Sequence, residues 1–200
     1  MARESKSITK VAFAANISND DVAALEAIHF DGRIVVVETT DALAKACKDL
    51  ARHTIIGFDT ETRPSFTAGV TNKVSLLQLS TEECCYLIRL NKIALSRELL
   101  SILSSEKIRK VGADVRNDIV GLNRLRHFTA RGFIDLQSEV AAYGIEDKSL
   151  RKISGIVLGK KVSKAQRLSN WAAKQLTPQQ QMYAATDAWV CIEIYNKLTK

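Results

Sequence analysis

No stretch of this sequence approaches the roughly 18 consecutive apolar residues of a membrane-spanning helix. The apolar residues 11–15, VAFAA, follow a basic start but are too short for a secretory signal. Both absences lead to the expectation of a cytoplasmic protein. Cysteine and histidine are scarce, at four and three. Cys47, Cys84, Cys85 and Cys191 form no C-x-x-C pair and no His-linked zinc spacing, so the reading is buried, reduced thiols rather than a disulfide framework or a zinc site. There is no internal repeat and no low-complexity stretch. What remains is 46% hydrophobic and 26% charged over 200 residues, the range of one globular domain with a sizeable core.

Acidic residues are missing from one segment in particular. Between Lys148 and Arg167 stand Lys148, Arg151, Lys152, Lys160, Lys161, Lys164 and Arg167, with no Asp or Glu among them. With these seven set aside, the remaining Lys and Arg equal the 22 Asp and Glu, so this segment carries the whole net charge of +7. A local positive surface attracts a polyanion, and phosphate contacts supply affinity that does not depend on base sequence. The plain alternative is a solvated basic face.

Hydrophobic periodicity gives the order of elements. Residues 1–10 are polar and basic and are expected to be disordered, and 1–32 read as an extension with one short helix over Asp20–Ile28. From residue 33 to 200 the pattern is a single domain. It has a first strand at Ile34–Val37, a helix at Thr40–Leu50, and then three strands with short links, Ile55–Glu61, Val74–Leu79 and Cys84–Ile88, which argue for hairpins. A helix at Ser96–Leu103 precedes a strand at Ile108–Ala113, so that part of the sheet is expected to be parallel. A helix over Asp114–Arg126, a short strand at Phe133–Leu136, a helix capped by Asp135 and another over Ser149–Leu158 with a Gly159 stop follow. Thr177, Pro178 and Gln180 then form a capping box with proline in the first turn, the strongest helix start in the chain.

The strand Ile55–Glu61, IIGFDTE, ends in Asp59 and Glu61, one residue apart. Side chains at i and i+2 of a strand point to one face, and two carboxylates held that close repel unless one is protonated or a cation lies between them. Oxygen-only ligand sets suit Mg²⁺ or Mn²⁺. A bare D-x-E at a fraying strand end is common, so the reading needs further acids. Asp114 and Asp118 lie one helical turn apart, of which Asp114 is explained as a cap and Asp118 is not. Tyr183 and Asp187 lie four apart on the last helix, and Asp187 sits among Ala184, Ala185, Ala188 and Val190, an apolar setting in which a carboxylate requires a partner.

Three strings, GFDTET, VGADVRNDIVGL and YAATDAWVCIEIY, carry a resemblance to the DEDD superfamily of 3′-to-5′ exonucleases, in its tyrosine branch. The linking text LGKKVSKAQRLSNWAAKQLT is similar to Werner-type exonuclease domains and, less closely, to ribonuclease D. One departure is that the Werner-type domain has Trp directly after its D-x-E pair, where this chain has Thr62. The resemblance implies an α/β, ribonuclease H-like mixed sheet, with the first strands antiparallel and the later ones parallel, flanked by helices. It also implies a catalytic set of Asp59, Glu61, Asp118, Tyr183 and Asp187, in which the four carboxylates hold two divalent ions, Mg²⁺ or Mn²⁺. By the same resemblance Asp59 bridges the metals, Glu61 and Asp187 serve the nucleophile side and Asp118 the leaving-group side, while Tyr183 orients the attacking water. Lys160, Lys161, Lys164, Arg167, Asn170 and Trp171 are assigned to the path of a nucleic acid strand with a free 3′ end. DNA is placed ahead of RNA as substrate, with ribonuclease D-like RNA 3′-end processing as the alternative. Two rival readings fit the residues less well. FDTET superficially resembles the D-x-D-x-T signature of aspartyl phosphatases, but its second acid is Glu61 and position 63 is Arg. A catalytically silent binding module is disfavoured because all four acids and Tyr183 are present.

Overall fold

The computed structural model describes residues 13–65, 67, 69 and 71–200. The basic start over residues 1–10 and part of the loop after the D-x-E strand lie outside them. In chain order the elements are α1 (Asn19–Ala24), β1 (Arg33–Val37), α2 (Thr40–Leu50), β2 (Ile55–Thr62), β3 (Val74–Ser80) and β4 (Cys84–Arg89), then α3 (Arg97–Leu103), β5 (Arg109–Gly112), α4 (Val115–Asn123) and β6 (Phe133–Asp135). The chain ends with α5 (Leu136–Glu139), a 3₁₀ turn (Val140–Tyr143), α6 (Leu150–Leu158) and α7 (Pro178–Thr199). Local chemistry sets most helix ends. Ser18, Thr39, Ser96, Asp135, Ser149 and Thr177 each accept a backbone N–H of the first turn, and α6 stops at Gly159, whose φ of 65° suits a residue without a Cβ.

The six strands form one sheet in the order β1-β4-β3-β2-β5-β6. Strands β2, β3 and β4 pair antiparallel, as short links require, while β5 pairs parallel to β2 and β6 parallel to β5. Strand β1 differs from the expectation of antiparallel first strands: it crosses over to pair parallel with β4 at the sheet edge. Two helices are shorter than their periodicity predicts. Helix α1 ends at Ala24 rather than Ile28, because Ala27 and Ile28 are drawn into a bridge with Lys161. Helix α4 ends at Asn123 rather than Arg126, where the Asn123 side chain accepts the Phe128 N–H at 2.9 Å.

Helices cover both faces. On one face Leu43, Ala46 and Leu50 of α2 and Leu99, Ile102 and Leu103 of α3 pack on Ile56, Phe58, Leu77 and Ile88. On the other, α6 and α7 cover Val111, Leu76 and Leu87 with Ile153, Val157, Val190, Ile194 and a row of alanines. At about 25 cal/mol per Å² of apolar surface, these two layers are the main favourable term in stability. The crossing of α7 over β2 has almost no clearance: a Cβ on Gly57 would stand 1.9 Å from the Ala188 carbonyl oxygen. That close approach, which a glycine on β2 permits, lets α7 bring Asp187 next to Asp59.

Residues 13–32 are not a loose extension. Leu25, Val22 and Ile17 lie against Gly155 of α6, and Phe30 is fully buried with its ring 5.7 Å from that of Trp189.

Candidate active site

The carboxylate site forms where β2 outruns its neighbour. Strand β5 pairs only with Ile55–Gly57, so the rest of β2 has no strand on that side and the start of α4 occupies the space. The register shifts between Glu61 and Thr62, where Ser75 of β3 is the extra residue opposite the end of β2, an irregularity of the kind found beside active sites. Asp59 and Glu61 point to the α7 face and meet Asp187: one carboxylate oxygen from each lies within 4.8 Å of the others. Among the described residues, none of the three forms an ion pair with a Lys or Arg.

Asp118 stands beside this triad rather than in it. Its carboxylate accepts the Thr60 hydroxyl at 2.5 Å, reaching the strand from the side that α4 covers, and its charge acts strongly on Asp59. Thr60 is a site residue that the sequence reading missed. The signal was its place between Asp59 and Glu61, which turns it towards the opposite face. Asp114 occupies the N-cap position but makes no capping bond. It adopts φ 62°, accepts the Asn117 amide at 2.9 and 3.1 Å and is exposed, so of the two helical aspartates only Asp118 reaches the site.

Burial and mutual repulsion dominate the electrostatics. Asp59 is held well above the usual carboxylate range by burial first, then by the charges of Asp118, Glu61 and Asp187. Glu61 is raised to about 9 by burial and by Asp187 and Asp118, against a lowering effect of Arg167. Asp118 and Asp187 are each raised to about 7, mainly by burial, with hydrogen bonds from Thr60 and Tyr183 opposing the rise. Tyr183 is pushed far up by burial and by the Asp187 and Glu61 charges, so its hydroxyl keeps its proton at any working pH.

These shifts carry a stability prediction for the metal-free protein. Each acid has a folded-state value above its unfolded one, so at intermediate pH the folded protein holds protons that the unfolded chain has released. The associated stability is complete below about pH 4 and is lost as pH rises through about 7 to 9. In chelator, the melting temperature is expected to fall by roughly 10 °C between about pH 5.5 and 8.5, and added Mn²⁺ should flatten the slope. A melting temperature that rises over this interval in chelator would contradict protonation of the cluster.

The residues assigned to the substrate path divide into two groups. Lys160 is paired with Glu26 and the Lys161 ammonium donates to the Ala23 carbonyl, so both hold the N-terminal segment. Lys164 and Arg167 are exposed and have no ion-pair or side-chain hydrogen-bond partner among the described residues, and Arg167 lies near enough to Glu61 to lower its pKa. Asn170 is exposed, and its side-chain oxygen accepts the Ala172 N–H at 3.1 Å. Trp171, expected along the substrate strand, is wholly buried instead. Its ring packs 5.9 Å from that of Tyr183, supporting the tyrosine from behind. The short basic turn before it presents charge outward while the indole fills the core beneath.

The donor set fits divalent cations. Four carboxylates, Asp187 buried and Asp59, Glu61 and Asp118 half-buried, with no ion-pair partner among the described residues, are hard oxygen ligands whose repulsion a cation relieves. Comparison with known proteins agrees with the geometry. Residues 34–200 match the family described as 3′-5′ exonuclease. The Mus musculus bifunctional 3′-5′ exonuclease/ATP-dependent helicase WRN is 32% identical over 151 residues, which cover 72% of this chain and 11% of that protein, so the likeness is to one part of it. The crystal structure of the Aedes aegypti Nibbler EXO domain superposes with a TM-score of 0.77 at 26% identity, covering 86% of this chain and 91% of that one. Escherichia coli RNase D superposes with a TM-score of 0.76 at 26% identity, covering 83% of this chain and 44% of that one. The mixed sheet with helices on both faces is thus ribonuclease H-like, and the chain belongs to the 3′-5′ exonuclease family.

Proposed function

We propose that this chain removes nucleotides one at a time from the 3′ ends of nucleic acid by hydrolysing the terminal phosphodiester, using two divalent ions, Mg²⁺ or Mn²⁺. The observation that carries this reading is the convergence of Asp59, Glu61 and Asp187 within 4.8 Å, with Asp118 alongside and no ion pair to any of the four among the described residues. Those four residues would hold the ions, which when bound supply an activated water and offset the charge of the reacting phosphate. The remaining work falls to this chain's own groups. Tyr183, whose proton is locked on, orients the attacking water by hydrogen bonding and cannot act as its base. Trp171 and the capping box at the start of α7 fix the tyrosine's position. Lys164 and Arg167 draw the phosphate backbone towards the acidic cluster. We place DNA ahead of RNA on the likeness to WRN; the likeness to E. coli RNase D, whose structure is described as that of an exoribonuclease, supports RNA 3′-end processing as the second reading. A cytoplasmic location belongs to the same proposal.

Digestion of 3′-labelled DNA and RNA single strands tests both readings at once. A ladder shortened from the 3′ end that needs Mg²⁺ or Mn²⁺ is the expected result, and the faster of the two strands names the substrate. Equal digestion in excess chelator overturns the proposal.

The division of the basic segment gives a second expectation. Replacing Lys164 and Arg167 together by Ala should raise KM with little change in kcat, and should flatten the log-log salt dependence of binding by about 0.7 per lost phosphate contact, roughly 1.4 for the pair. Replacing Lys160 and Lys161 should leave that slope at the parent's value, because both are engaged with residues 23–26. An unchanged slope in the Lys164/Arg167 variant makes the turn a solvated face.

A further inference from the structure

Strand β3 reads VSLLQLS, and among its leucines stands Gln78. This side chain is fully buried, and neither its amide nitrogen nor its amide oxygen has a hydrogen-bond partner among the described residues. The other buried side-chain polar atoms in that condition are single nitrogens, on Arg89, Arg151 and Trp171. Buried polar groups in folded proteins are nearly always paired, and an apolar side chain of the same shape would fill the space without the cost of desolvating an amide. A glutamine kept here calls for a reason.

The register shows what the amide faces. Gln78 lies directly opposite Asp59 across the β2–β3 pair and opposite Leu87 across the β3–β4 pair, so of its two cross-strand partners Asp59 is the polar one. Alternation along β3 sends Leu77 and Leu79 into the layer under α2 and α3, and Leu76 into the layer that α7 covers with Ala184 and Ala185. Gln78 goes with Leu76, and Asp59, flanked in sequence by Phe58 of the opposite layer, faces α7 as well. Directly opposed residues of an antiparallel pair have Cβ atoms about 4.5 to 5.5 Å apart, a gap that a glutamine side chain spans. Two other acids of the cluster already have a side-chain donor: Asp118 accepts the Thr60 hydroxyl, and Asp187 accepts that of Tyr183. Asp59 has no side-chain hydrogen bond among the described residues, and the unengaged amide beside it is Gln78.

We propose that Gln78 is a positioning residue for Asp59: its amide N–H donates to the Asp59 carboxylate when that carboxylate holds a divalent ion, and so fixes which oxygen faces the cation. The inference rests on the metal-dependent reading of the cluster and adds the group that orients one of its ligands. Carboxylates that ligate metals are themselves hydrogen-bonded from outside, and loss of such a partner costs about 10- to 100-fold in metal affinity or activity.

Gln78→Met keeps the length and much of the shape while removing donor and acceptor, and Gln78→Leu repeats the change with the side chain already present at 76, 77 and 79. In chelator both variants are expected to melt no lower than the parent, since an unpaired buried amide has given way to an apolar group. Titrated calorimetrically with Mn²⁺ alone, both are expected to bind about 10- to 100-fold more weakly than the parent, and at limiting Mn²⁺ kcat should fall while KM for the strand stays at the parent's value. Parental Mn²⁺ affinity in both variants overturns the positioning role and leaves the nuclease reading intact. Melting of both variants well below the parent in chelator also overturns it, because the amide would then stabilise the fold without any metal. A parent that takes up no Mn²⁺ overturns the metal-dependent reading and this inference together.

Discussion

Asp59→Asn and Asp187→Asn each abolish the removal of 3′ nucleotides while leaving the protein folded, and in chelator at about pH 8 both variants melt no lower than the parent. The first half follows from the donor set. Each residue supplies one of three oxygens gathered within 4.8 Å, and removing the charge of one leaves the site short of the negative charge that holds the cations. Metal ions contribute several kcal/mol of transition-state charge stabilisation, and each 1.36 kcal/mol is tenfold in rate, so the loss is about 10³-fold or more. The second half follows from the repulsion. Asp59 is pushed up by Asp118, Glu61 and Asp187 after burial, and a neutral side chain of the same shape at either position relieves part of that cost. A binding module that had lost its chemistry would show neither effect. Efficient cleavage by Asp59→Asn would remove the metal-dependent mechanism, and a melting temperature well below the parent's would mean that the carboxylates hold the fold together instead of straining it.

The parts of this site that were legible in the sequence are those set by short periods. Asp59 and Glu61 fall on one face because a strand repeats every two residues, and Tyr183 and Asp187 because a helix repeats every 3.6. The T-x-x-Q box at Thr177 needs only residues three apart, and it forms as read, with both reciprocal bonds present. What was not legible depends on partners far along the chain. Nothing near β1 indicates that it crosses to the edge beside β4. The irregular pairing opposite Glu61, with Ser75 as the extra residue on β3, has no glycine to announce it. Thr60 holds Asp118 across 58 residues of sequence, and Lys160 meets Glu26 across 134. Trp171 misled because an indole in a basic, polar turn looks like a surface ring, whereas the turn folds back and buries it against Tyr183. Nothing in residues 28–30 themselves indicates that the Phe30 N–H is fastened to the Thr186 hydroxyl on α7, 156 residues along the chain.

Tyr183→Phe separates the water-orienting role from the metal-holding one. The substitution keeps the ring that stacks near Trp171 and removes only the hydroxyl, which lies against Asp187 and interacts with the charges of Glu61 and Asp59. Because burial and those charges keep the hydroxyl protonated, the group contributes a hydrogen bond in a fixed direction, not a proton acceptor. Positioned groups of this kind contribute about 10² to 10⁴ in rate, so kcat is expected to fall by that much. The pH profile of the remaining activity should keep its shape, since no titration of Tyr183 lies within the working range. Asp187 loses the hydrogen bond that opposes its upward shift, and metal binding by calorimetry should weaken only slightly, most visibly below about pH 7, where competition with protons is strongest. A variant as fast as the parent would make Tyr183 a packing residue for Trp171, and a variant that binds metal far more weakly at every pH would make the hydroxyl part of the metal shell.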